Sequence, residues 1–214
     1  NDPDRLERLL RTVPVARLDL EVLVVDDCSP NQDGLEVLKK GWPTVHWLST
    51  ERNAGAGAAR NVGLSHARGK YLLFADSDDE FLSRAFDVFD KHVGGDTDLA
   101  YFLAEAVQEG DRSPSNRAVR ANGLCSTYIE EPSDTNLERL QLGHVVPWAK
   151  VYSRRFVEEC ELTFDETRVS NDVGFNVLAS VQASSIAVVP EKVYRIFRRA
   201  GSLTADEGLS SMLE

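Results

Sequence analysis

No run of apolar residues in this chain approaches the roughly 18 that a membrane-crossing helix needs, and nothing at its start reads as a secretory leader. Basic residues are outnumbered, 24 Lys and Arg against 35 Asp and Glu, for a formal net charge of −11. A chain this acidic repels phosphate backbones and anionic lipid surfaces, so neither nucleic acid nor a charged membrane is expected as its main partner. Cysteine is scarce, and Cys28, Cys125 and Cys160 show no C-x-x-C spacing. They are expected as free thiols of a reducing compartment, with no zinc site. Internal repeats and heptads are also missing, which excludes solenoids and coiled coils.

What is present suits one large α/β domain: 214 residues, 42% hydrophobic, enough to bury a sizeable core. The most informative stretch is Lys70 to Phe81. Tyr71 to Ala75 is unbroken by any polar residue, the pattern of a strand buried on both faces in a parallel sheet. It stops at Asp76, Asp78, Asp79 and Glu80, and ligand sites of open α/β sheets lie beyond the carboxyl ends of strands. An Asp-x-Asp pair there offers hard oxygens to Mg²⁺ or Mn²⁺. A solvated acidic turn before the next helix is the plainer alternative.

Taken in order, Pro3 to Val13 carries Leu6, Leu9, Leu10 and Val13 at helical spacing, with Asp2 placed to cap and Pro3 in the first turn. Leu20 to Val25 reads as a strand ending in Asp26 and Asp27, Gly34 to Lys40 as a short helix, and Thr44 to Ser49 as extended. Asn53 to Gly63 is rich in small residues and opens a helix to about Arg68. Its face of Ala59, Val62, Gly63, His66 and Ala67 is expected against the sheet, and Arg60 is suited to a phosphate or a base edge. A helix from Ser83 to Val93 follows. The alternation predicts a mostly parallel sheet. Beyond it, Asp98 to Val107 reads as a strand and 109–122 as a loop. Asp134 to Leu142 reads as a helix, Val145 to Tyr152 as extended, and Ser170 to Gln182 as a helix capped by Ser170. Ile186 to Val189 and Lys192 to Phe197 read as strands, and Arg198 to Leu203 as a turn.

Several of these stretches, in this order, resemble family 2 glycosyltransferases of the GT-A fold. They are Val24-Val25-Asp26-Asp27-Cys28-Ser29; Asn53-x-Gly55 through Ala59-Arg60-Asn61-x-Gly63; Ala75-Asp76-Ser77-Asp78-Asp79; Trp148-x-Lys150-Val151-Tyr152; Asp172-x-x-Phe175; and Arg198 to Thr204. The resemblance implies a Rossmann-like, mostly parallel sheet with helices on both faces and a smaller C-terminal acceptor-side portion. Residues 1–107 would form the nucleotide-sugar half and 108–214 the half that binds acceptor and carries the base. Asp26, Asp27, Asn53 and Arg60 would line the nucleotide pocket, and Asp76 with Asp78 would place Mg²⁺ or Mn²⁺ on the donor diphosphate. Asp172 would be the general base, Trp148 and Lys150 would border the acceptor, and Arg199 and Ser202 would close over the donor.

The implied activity is metal-dependent, inverting transfer from a nucleotide sugar, most often a UDP-sugar, to a hydroxyl of a glycan or lipid-linked acceptor in cell-surface polysaccharide synthesis. The implied location is the cytoplasm, at or near the inner face of the membrane, with peripheral association through flanking regions. Two departures stand out. Asn171 occupies the place where the family usually has Glu before the base, and the family's opening strand ahead of the Pro3 helix is missing, so the native protein is expected to continue upstream. Three rivals remain: an inactive nucleotide-sugar-binding module, a nucleotidyltransferase of similar fold, and a two-component receiver domain, which shares the Leu23 to Asp27 pattern.

Overall fold

The structure, a computed structural model, describes residues 2–199. The chain runs α1 (Pro3–Leu10), β1 (Leu23–Asp26), α2 (Gln32–Gly41), β2 (His46–Ser49), α3 (Ala56–His66), β3 (Tyr71–Leu72), β4 (Glu80–Phe81) and α4 (Ala85–His92). It continues through β5 (Leu99–Gln108), α5 (Val119–Glu130), α6 (Asp134–Gly143), β6 (Lys150–Ser153), α7 (Arg154–Glu159), α8 (Val173–Gln182) and β7 (Ile186–Arg198). This is an α/β fold with helices on both faces, as the alternation predicts.

Strand β5 shows why the layers form. Its side chains alternate with the period of two that a pleated strand imposes. Ala100, Phe102, Ala104 and Ala106 enter one core with Leu6 and Leu9 of α1, Leu35 and Leu38 of α2 and Phe89 of α4. Leu99 and Tyr101 enter a second core on the other face, with Leu140 of α6, Phe156 of α7 and Phe175 and Ala179 of α8. Apolar residues on both faces make β5 the centre of the molecule.

The pairing is more mixed than a mostly parallel sheet. The larger sheet has the order β3-β6-β5-β7-β4, and β1-β2 form a separate parallel pair. Strands β5 and β7 are parallel, whereas β3–β6, β5–β6 and β4–β7 are antiparallel. Of the stretch Tyr71 to Ala75, only Tyr71 and Leu72 make ladder pairs, to Ser153 and Tyr152 of β6. Neither the β3 edge toward β1 nor the β1 edge toward β3 has a ladder partner among the described residues. Between them lies a slot walled by Val24, Leu64, Leu73 and Phe81, continuous with a cleft of about 1050 Å³.

Other expectations need correction. The segment 109–122 is not all loop, because α5 begins at Val119 and packs Ala121 and Cys125 into the cores. The two expected C-terminal strands are one, β7, with a register shift against β5 near Pro190, where a proline can donate no ladder bond. Helix α8 starts at Val173 with Asp172 at the N-cap, and Ser170 instead sits at φ 56 in the left-handed region. His66 is exposed, its Nδ1 2.9 Å from the Val62 carbonyl, rather than packed on the sheet. Asp2 does cap α1, accepting from the Arg5 amide at 3.3 Å. All three cysteines are free.

Candidate active site

The acidic run after β3 is a turn clamped from beneath by β7. The Asp79 amide donates to the Asp76 carbonyl at 3.1 Å. The Asp76 amide donates to the Tyr194 hydroxyl at 2.9 Å, and the Asp79 carboxylate accepts from the Phe197 amide at 3.0 Å. Asp79 is therefore turned inward, and burial, with Asp76 close by, pushes its carboxyl up to about 8. Glu80 is also buried, ion-paired to Arg195 at 2.7 Å, Arg112 at 3.2 Å and Arg8 at 3.5 Å. Arg8 also donates to the carbonyl of Asp78, so α1 holds the turn from the other side. With these anchors inside, Asp76 and Asp78 are left partly exposed on the cleft wall. Arg199 approaches Asp78 at 4.0 Å.

Among the described residues no cluster of three or more His, Cys, Asp or Glu gathers in a form that could hold a metal unaided. Two partly exposed carboxylates facing a cleft nevertheless fit a hard cation that completes its shell with water and substrate phosphates, as Mg²⁺ and Mn²⁺ do.

Helix α3 delivers Arg60 to the same wall. The small residues at its start have local causes. Gly55, at φ 92, gives its amide to the Asp27 carboxylate at 2.7 Å, and a Cβ on Gly57 would stand 2.0 Å from the Asp165 carbonyl oxygen. The close approach is thus to the 165–172 loop, not to a strand. It lets Arg60 donate to Asn171 Oδ1 at 2.9 Å while pairing with Asp76 Oδ1 at 2.7 Å. Asn171 is a neutral acceptor, so Asp76 is the one anion Arg60 pairs with among the described residues. Next to it stands Asp172, whose carboxylate makes no capping bond to α8 and lines the cleft. Burial raises its pKa, with Asp76 adding to the rise, while Arg60 and Lys150 oppose it.

Of the residues singled out from the sequence, Arg60, Asp76, Asp78, Asp172 and Arg199 line one cleft. Asp26, Asp27 and Asn53 lie beyond its lining and serve the loops there. Burial alone would raise the Asp26 pKa, but hydrogen bonds from Ser29 and Gln32 outweigh it and lower it. Asp27 accepts from Ala54, Gly55 and Thr50 at 2.7–2.9 Å, and Asn53 donates to the Asp27 carbonyl at 3.0 Å. Ser202 lies outside the described residues. Trp148 and Lys150 do not face the cleft as acceptor-side residues should. Both are buried, Trp148 stacked on Tyr194 with centroids 6.2 Å apart and Lys150 fully enclosed beneath α8. Sequence reasoning missed Tyr194 and Arg8, and it singled out Asp79 and Glu80 only as further strand-end carboxylates, not as the buried anchors they are. An acid run longer than a metal pair needs was the one available signal.

Comparison with known proteins agrees with this geometry. The sequence model described as "Glycosyl transferase family 2" matches residues 1–160. Succinoglycan biosynthesis protein ExoO of Rhizobium meliloti (strain 1021) is 28% identical over 213 residues, covering 95% of this chain and 60% of that protein. Poly(ribitol-phosphate) beta-N-acetylglucosaminyltransferase TarS of Staphylococcus aureus (strain Mu50 / ATCC 700699) is 26% identical over 186 residues, covering 83% of this chain and 30% of that protein. The crystal structure of S. aureus TarS 1–349 in complex with UDP-GlcNAc superposes with a TM-score of 0.67 at 22% identity, over 95% of this chain and 57% of that one. At that identity the superposition establishes the fold, which is of the GT-A type. The chain thus spans about three-fifths or less of each of these proteins.

Proposed function

The chain belongs to glycosyl transferase family 2, and from that premise we propose that it transfers a sugar from a UDP-sugar to a hydroxyl of a glycan or lipid-linked acceptor, with inversion. The observation that carries the reading is the contact chain Asp76–Arg60–Asn171 beside Asp172, which brings a candidate metal ligand and a candidate base to one cleft wall. Asp76 and Asp78 would hold Mg²⁺ or Mn²⁺, which supplies Lewis-acid stabilisation of the diphosphate leaving group.

Arg60 is placed to meet the diphosphate itself, since its planar guanidinium has one carboxylate partner and donors in a fork. In the displacement, the acceptor oxygen bonds to the anomeric carbon as the bond to the diphosphate oxygen breaks. The hydroxyl proton passes to the Asp172 carboxylate, a step worth on the order of 10² to 10⁴ in rate. A raised pKa suits Asp172 to that role, because a carboxylate that holds its proton more firmly is the better base. One base and no enzyme nucleophile give a single displacement, hence inversion.

The relatives' names place them in succinoglycan and poly(ribitol-phosphate) chemistry. By extension we assign this chain to cell-surface polymer synthesis at the cytoplasmic face of the membrane, residues 1–107 gripping the donor and 108–214 presenting acceptor and base. No helix among the described residues is long and apolar enough to cross a membrane. The test is calorimetric titration of UDP, with Mn²⁺ and then with EDTA, against GDP. Metal-dependent binding selective for UDP and lost in Asp76→Ala or Asp78→Ala is expected. Equal binding with and without metal, or a preference for GDP, would overturn the donor assignment.

A further inference from the structure

Of the motif Trp148-x-Lys150-Val151-Tyr152 only Val151 lines the cleft, and the motif buries an ammonium completely, which costs stability unless the group is held. Lys150 Nζ donates to the His144 carbonyl at 2.6 Å and to Asn176 Oδ1 at 2.8 Å. The Tyr152 hydroxyl donates to the same Asn176 oxygen at 2.7 Å. An ammonium can only donate, so these two contacts fix which way the Asn176 amide faces. Its Nδ2 is then forced toward the start of α8, where it donates to the Asp172 carbonyl at 2.8 Å, the acceptor also of the Asn176 amide at 3.0 Å.

We propose that Lys150 and Asn176 form a buried positioning unit that holds Asp172 at the cleft and keeps a cation behind it. The proposal rests on Asp172 being the base only for its catalytic consequence. The contacts themselves stand without it. Asp172 has no side-chain bond of its own to α8, so the Asn176 side-chain amide adds a second donor to its carbonyl beside the helix bond.

The charged and titratable groups facing Asp172 come from each neighbouring element. Arg60 is on α3, Asp76 follows β3, Lys150 and Tyr152 are on β6, and Asp165 lies beside Gly174. Burial and Asp76 raise the Asp172 pKa, and Arg60 and Lys150 lower it. Burial lowers Lys150 itself to about 7, so it is protonated throughout the more acidic range in which a carboxyl titrates. Removing the Lys150 charge must therefore move the Asp172 midpoint upward.

The experiment is a ¹³C carboxyl NMR titration of Asp172 in the whole chain, the signal assigned with Asp172→Asn, in wild type, Lys150→Met and Lys150→Gln. Gln keeps a donor toward Asn176 and the His144 carbonyl without the charge, so it separates hydrogen bonding from charge and serves if the Met variant folds poorly. An upward shift of about half a unit to one unit is expected in both variants, from loss of one nearby cation. Amide exchange in the first turn of α8 is expected to quicken about tenfold in Lys150→Met and to stay near wild type in Lys150→Gln. An Asp172 midpoint unmoved in folded Lys150→Gln would overturn the proposal, since a purely structural lysine would leave it unchanged. UDP binding with Mn²⁺ should be the same in all three proteins. Its failure in wild type would count against the donor assignment alone, because the Asp172 midpoint is read without ligand.

Discussion

Gly57 is the position at which a single methyl group should do the most harm. It lies in the first turn of α3, where alanine would ordinarily be worth about 1 kcal/mol over glycine. Here an added Cβ would stand 2.0 Å from the Asp165 carbonyl oxygen, 3.0 Å from its carbon and 3.1 Å from Asn171 Cβ. Ordinary contact begins near 3.4 Å, and the nearest obstacle is main chain, so the 165–172 loop or α3 must shift by more than about 1 Å. Overpacking of this kind costs roughly 1–3 kcal/mol net. For a chain of this size that is a fall in Tm of about 3–10 °C.

The displaced loop is the one that carries Asn171 and Asp172, tied through the Asp165 amide to the Asn171 carbonyl at 3.1 Å. Transfer activity should therefore fall by more than the folded fraction does. Gly123 of α5 is the control. A Cβ there meets nothing within 4 Å, so Gly123→Ala should stabilise by up to about 1 kcal/mol. Differential scanning calorimetry on both variants decides the matter. A Gly57→Ala protein as stable as wild type would refute the close-approach argument.

Asn122 closes the edge of β5 where β6 ends, its Nδ2 donating to the Ala104 carbonyl at 2.7 Å and its Oδ1 accepting from the Ala104 amide at 3.0 Å. Asn122→Ala leaves both buried groups without partners and should cost about 2–4 kcal/mol in urea unfolding; a loss under about 0.5 kcal/mol would mean that water replaces the amide. Lys150 gives a pH signature of the same sign as a depressed carboxylate but at higher pH, and opposite to that of a lysine stabilised in its charged form. Its pKa falls from 10.5 to about 7 on folding, so between those values the unfolded chain holds the proton that the folded chain has released. Wild-type stability relative to Lys150→Met should therefore rise with pH from about 7 toward 10, by at most about 1.4 kcal/mol per unit. Parallel pH profiles of the two proteins would show that Lys150 keeps its proton inside the fold.

How far the sequence could be read depended on whether a signal was local. Asp2 ahead of Pro3 announces a capped helix, and the α1 leucines recur at the spacing of one face, so that element was legible from its own residues. The pairing of Asp76 with Arg60 was legible only as two candidate site residues, because Gly57 had to touch Asp165 before α3 could aim Arg60, and no local pattern encodes a contact between residues so far apart. The same holds for α5. Val119 to Asn122 reads as the end of a polar loop, yet these residues open the helix, Ala121 is buried and Asn122 is bonded to β5, so tertiary contacts override the local preference.

Lys150 failed in the opposite direction. The resemblance set Lys150 at the acceptor border, in keeping with the rule that a charge is seldom enclosed. What encloses this one is an acceptor pair, the His144 carbonyl and Asn176 Oδ1, supplied from before β6 and from α8. Tyr71 to Ala75 shows the limit most plainly. Its composition is that of a strand flanked on both sides, but composition states only what a strand would tolerate, and only the β6 side offers ladder bonds among the described residues. Apolar runs report the burial a segment can bear, and pairing reports the neighbour it has. The two agree at β5, between β6 and β7, and part at β3, which borders the slot.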